Sequence, residues 1–70
     1  MRTEQQIVDQ TNALARKLYS LRGLTSPEGF RFDRAIHPYA AEAWNGACEA
    51  QLLLTDTDPA DALLEIEEGT

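Results

Sequence analysis

Seventy residues with 43% apolar and 26% charged side chains, four glycines and three prolines describe one small globular domain, because a disordered chain is poorer in apolar residues. Two domains are excluded, and so is a membrane span, since no apolar run approaches the roughly 18 residues that a span needs. The net charge of −6 is split unevenly: residues 1–37 carry all six basic groups against four acids, and residues 38–70 carry eight acids and no lysine or arginine.

The chain order begins with a capping box, Thr3 followed by Gln6. Ile7, Leu14, Leu18 and Leu21 then recur with Thr11 at helical spacing, and Val8, Ala15 and Tyr19 form a second strip beside them. A helix over residues 4–22 follows, its second half favoured by Arg16, Lys17 and Arg22 near the negative end of the macrodipole. Gly23 is placed to end it in a Schellman motif with Leu24.

Ser26-Pro27-Glu28-Gly29 reads as a type I turn, which opens a long loop after the first helix. Phe30-Arg31-Phe32 reads as a short extended segment whose rings cap the core, and Asp33 as the cap of a brief turn through Ile36. His37-Pro38 restarts the chain, because the residue before proline avoids helical angles while proline suits the first helical position.

The second helix is expected over residues 38–54. On a wheel its apolar residues, Leu52 and Leu54 among them, occupy most of the circumference and leave Glu42, Asn45, Gly46 and Glu49 on a polar arc. Ala40, Ala43, Ala47 and Ala50 form a smooth stripe for close helix approach, with Trp44 beside it. Asp58-Pro59-Ala60-Asp61 starts a third helix over residues 59–67, with Ala62, Leu63 and Ile66 as its buried side. Glu67 and Glu68 oppose the dipole at its end and predict fraying. The fold class is thus all-α: three helices in one domain spanning residues 1–70.

A domain of this size buries only about 60% of the surface its unfolded chain exposes, so a small core needs help. Cys48 has no disulfide partner within the chain and no Cys/His cluster can hold a structural metal, which leaves oligomerisation. A helical homodimer is expected, with Ile7, Leu14, Leu18, Ala43, Trp44 and Ala47 at its interface. The N-terminus lacks the apolar region of a signal peptide, and the chain is expected in the cytoplasm of a host cell with Cys48 reduced.

Catalytic chemistry is not indicated. His37 is the one imidazole and has no serine or cysteine near it in sequence, and Cys48 lies among apolar positions where a thiol is inert. Asp56, Asp58 and Asp61 do not make a calcium loop, since Ala60 and Asp61 stand where the fifth ligand and the turn glycine belong. No phosphate-binding or dinucleotide fingerprint occurs, so a non-enzyme without metal or other cofactor is expected.

What remains is surface recognition. Arg16, Lys17, Tyr19, Arg22 and Tyr39 are the candidate partner-binding residues, because arginine and tyrosine are enriched where proteins bind tightly. Direct nucleic-acid binding is not expected, since the second helix has two acids and no base and the third is acidic. The alternatives are an acidic nucleic-acid mimic, a DNA-binding regulator and a structural or antitoxin-like adaptor.

Phe30-Arg31-Phe32-Asp33 with His37-Pro38 and Trp44, and Thr55-Asp56-Thr57-Asp58 leading into Asp61-Ala62-Leu63, resemble segments of small bacteriophage and prophage proteins. Within that class the chain is similar in size and helical character to phage quorum-sensing anti-activators. The resemblance implies a homodimeric inhibitor of a LuxR-type transcriptional regulator and of a pilus-assembly ATPase. Anti-CRISPR proteins are the other phage inhibitors it resembles. Neither likeness assigns contact residues.

Overall fold

The computed structural model describes residues 2–69 as three helices, α1 (Glu4–Leu21), α2 (Pro38–Thr55) and α3 (Pro59–Glu68), with one 3₁₀ turn at Phe32–Arg34. There is no strand among the described residues.

Local chemistry sets each boundary. The Thr3 hydroxyl accepts from the Gln6 backbone N–H while the Gln6 side chain accepts from that of Thr3, closing the capping box. At the far end the Leu24 N–H reaches the Tyr19 carbonyl and the Gly23 N–H that of Ser20. This is the Schellman pattern, and Gly23 sits at φ +80 where a side chain is disfavoured. His37 Nδ1 accepts from the Tyr39 N–H ahead of α2, and Asp58 Oδ1 from the Ala60 N–H ahead of α3. The loop turn falls one residue later than its sequence pattern predicts. Phe30 N–H donates to the Pro27 carbonyl, and Gly29 takes the third position at φ +79, which any other residue would occupy under strain.

The helices α1 and α2 run antiparallel. Arg22 at the end of α1 pairs with Glu42 early in α2, and Arg2 ahead of α1 donates to Thr55 and Thr57 at the end of α2. Their seam is built from small side chains: Val8, Thr11 and Ala15 of α1, and Ala40, Ala43, Ala47 and Gln51 of α2. The leucine stripe of α1 lies at the margin of this seam. Leu14 and Leu18 are half-buried and Leu21 is 72% exposed. The reason is steric: two helices approach closely only where their contact residues are small, and leucines then splay to the edges.

One polar pair lies inside the seam. Thr11 Oγ1 donates to the Ile7 carbonyl and accepts from Gln51 Nε2 at 3.2 Å, so both buried side chains are satisfied. Phe32 is the largest enclosed side chain, packed edge-on against Tyr19 at 5.4 Å and Phe30 at 4.9 Å between ring centres. Pro59 and Ala62 anchor α3, which packs chiefly on α1.

Candidate functional site

Asn12 controls the loop that follows α1. Its Oδ1 accepts from the Phe32 N–H at 2.6 Å and its Nδ2 donates to Asp33 Oδ1 at 2.8 Å. The Asp33 carboxylate is wholly covered and also receives the Arg31 guanidinium at 2.7 Å. Burial pushes the Asp33 carboxyl up, but the Asn12 and Arg31 hydrogen bonds and the Arg31 charge outweigh it and hold the group below the usual carboxylate range. The acid therefore clamps the loop rather than capping a turn.

Two of the five expected partner-binding residues do internal work. Half-buried Arg16 donates to Ser26 Oγ at 3.0 Å and to the Pro27 and Phe30 carbonyls, fastening the loop along α1. Tyr19 is half-buried against Phe32. The other three, Lys17, Arg22 and Tyr39, are exposed. The Arg22 guanidinium lies 5.2 Å from the centre of the Tyr39 ring, and the His37 ring 5.5 Å from it on the same corner of the molecule. Ile36, three residues before Tyr39, is 99% exposed. The sequence reading missed Ile36 as a surface residue, having placed it inside a brief turn.

The six expected dimer-interface residues are divided as well. Ala47 is 0% exposed and Ala43 nearly enclosed, so with Ala40 they are taken up by α1 and the loop of their own chain, while Ala50 is half-buried. This corrects the expectation that Ala47 lies at a seam with another subunit, since no atom of it can be reached from outside; Ala43 keeps an edge on the open groove between α1 and α2. Trp44, Leu14 and Leu18 are half-buried against the core, and Ile7 is half-buried beside α3. The wheel assigned Leu52 and Leu54 to the covered side of α2; instead Leu54 is 82% and Leu53 83% exposed, and Leu52 is exposed beside them. Gly46, expected on the polar arc, borders α1, where a Cβ would meet Leu18 Cδ1 at 3.4 Å.

That approach leaves an open groove of about 570 Å³ between the second half of α1 and the middle of α2. Leu18, Leu21, Ala43 and Gly46 line it together with Arg22, Glu42, Asn45 and Glu49. A smaller hollow of about 420 Å³ lies on the loop side, lined by Asn12, Arg16, Phe30 and Arg31 among others.

The remaining chemistry is quiet. Burial, with the Asp58 charge second, pushes the Cys48 thiol up to about 11, so it is a neutral thiol at physiological pH. No group of three or more histidine, cysteine or acidic side chains among the described residues could hold a metal ion. No described helix is long and apolar enough to cross a membrane. Where α3 meets the start of α1, Glu65 shares a hydrogen bond with Glu4, and that bond and the Glu4 charge, followed by those of Asp61 and Glu68, push the Glu65 carboxyl up. Comparison with protein-family models, curated proteins and solved structures finds no match to this chain.

Proposed function

We propose that this chain is a small, non-catalytic helical protein that acts as a homodimer in the host cytoplasm and blocks a host protein by docking on it. The target class is the one its resemblance to phage anti-activators implies, a LuxR-type transcriptional regulator, with a pilus-assembly ATPase as a second target. The observation that carries the reading is the start of α2, where Ile36 stands almost wholly in water three residues before Tyr39, and Arg22 lies over the Tyr39 ring. An exposed arginine–tyrosine pair with an exposed aliphatic residue three positions away in sequence has the composition of an energetic centre in protein interfaces.

The test uses the full chain and a purified LuxR-type regulator, with the regulator's own DNA binding as readout in a gel shift. The expected result is loss of the regulator–DNA complex on adding the chain. Ile36→Glu with Tyr39→Glu removes that effect while the helical circular dichroism is unchanged. A regulator that keeps its DNA in the presence of excess chain overturns the assignment of target. An acidic nucleic-acid mimic is the second reading, favoured by the crowding of Glu4, Asp61 and Glu68 around Glu65. Blocking that survives Ile36→Glu/Tyr39→Glu but is lost in Glu65→Gln/Glu68→Gln selects it.

A further inference from the structure

The groove between α1 and α2 continues along α2 as a stripe that its own chain covers only in part. Gly46, Ala50 and Leu53 follow one another at helical spacing, and Leu53 and Leu54 at its end are more than four-fifths exposed. On the α1 side Leu18 and Leu21 line the groove, with Leu14 one turn before Leu18. The two edges of this apolar strip carry opposite charge. Lys17, one turn before Leu21, and Arg22 stand on α1; Glu42 and Glu49 stand on α2. Arg22 and Glu42 pair with each other at 2.6 Å across the mouth, whereas Lys17 and Glu49 are exposed and make no ion pair or hydrogen bond among the described residues.

We propose that a second copy of this chain seats on this face, with a two-fold axis running parallel to the helices so that α1 of each copy lies on α2 of the other. The charge pattern selects that arrangement. A two-fold along the helices keeps residues at the same level and moves the basic edge of one copy onto the acidic edge of the other, so Arg22 meets the partner copy's Glu42 and Lys17 its Glu49. A two-fold across the helices lays base on base and acid on acid, which repels. At the centre, Gly46 and Ala43 present almost no side chain, so Leu21 and Leu18 of the partner can fill the groove. Two helices of 18 residues each make a face about 27 Å long and about 20 Å wide, about 540 Å² per partner and about 1,080 Å² in all, just past the ~1,000 Å² that a specific interface needs. The seam rests on the proposed homodimer and gives it a surface, built on Leu18 and Leu21 with Ala43 and Gly46 as the floor of the groove, while Ala47 stays inside its own chain.

Sedimentation equilibrium of the full chain tests it. The wild-type chain is expected to dimerise. Lys17→Glu/Arg22→Glu makes both edges acidic and Glu42→Lys/Glu49→Lys makes both basic, so each variant alone loses at least about tenfold in self-affinity. An equimolar mixture of the two restores the dimer, because each edge then meets its opposite. Restoration on mixing cannot arise from a folding defect, and Gly46→Trp, which fills the groove in an otherwise unchanged chain, gives a monomer by an independent route. A monomeric wild-type chain, a variant that self-associates as tightly as wild type, or a mixture that stays monomeric overturns the seam. Arg22 borders both surfaces, so the two readings are separated by Gly46→Trp, which leaves Arg22, Ile36 and Tyr39 in place: a monomer that still blocks the regulator sinks the need for the dimer, and a dimer with no effect on the regulator sinks the target while the seam stands.

Discussion

α1 is held on its two flanks in opposite ways. On the loop flank, Asn12, Arg16 and Asp33 make a continuous set of hydrogen bonds to the backbone and side chains of residues 26–33, and the carboxylate involved is buried, paired and held ionised. On the α3 flank the contact rests on Pro59 and Ala62, with the exposed acids Glu4 and Glu65 facing each other. The segment without regular structure is thus fixed by directional bonds, while the regular helix is attached by a small apolar patch under like-charge repulsion. Regularity of secondary structure is a poor guide to how firmly a segment is held.

The contrast is broken most severely by Phe32→Ala, which empties the space between Tyr19 and Phe30; a loss of about 3–5 kcal/mol is expected from urea unfolding monitored at 222 nm. Asn12→Ala strands the Phe32 N–H and removes one donor from a buried carboxylate, at about 1–3 kcal/mol, and proteolysis within residues 24–31 should accelerate in step. The two carboxyls then separate by pH. Asp33 has a lowered pKa in the folded chain, so its contribution is complete above the ordinary carboxylate value and is lost as pH falls through the folded value. Glu65 is raised, so folding gains from its proton at acid pH and loses that gain as pH rises through its folded value. Glu65→Gln should therefore raise the melting temperature slightly at pH 7 and leave it unchanged near pH 3. Asn12→Ala should flatten the acid limb of the stability profile, since it weakens the bond that depresses Asp33.

The helix ends were legible because caps are local: Thr3 with Gln6, Gly23, His37-Pro38 and Asp58-Pro59 each carry their signal within four residues, and the observed ends fall within one residue of the expected ones. The alanine stripe of α2 was legible as the side for close helix approach, and Ala40, Ala43 and Ala47 are buried there; the inward side of α1 and the fate of the leucines were not. A wheel weights Leu14, Leu18, Leu52 and Leu54 by hydrophobicity, whereas the seam selects Thr11, Ala15, Ala43 and Ala47 by size. The pairs Asn12–Asp33 and Thr11–Gln51 span 21 and 40 residues, and no local pattern announces them. For the candidate contact surface, exposure of Arg22 and Tyr39 agreed with the wheel, while Arg16 and Tyr19 were drawn inward by a loop whose path depends on those same distant bonds.

The Thr11–Gln51 bond has a consequence for how singular the fold is. Two smooth, alanine-lined cylinders can slide along each other by one turn, about 5.4 Å, at little loss of apolar contact. A hydroxyl and an amide meeting in the dry seam act as a peg, because any such slip would take the Gln51 Nε2 donor from its acceptor while Thr11 keeps only its bond to the Ile7 carbonyl, at about 1–3 kcal/mol. A residue that contributes little to holding the molecule together can in this way decide which of several near-equal alignments it adopts.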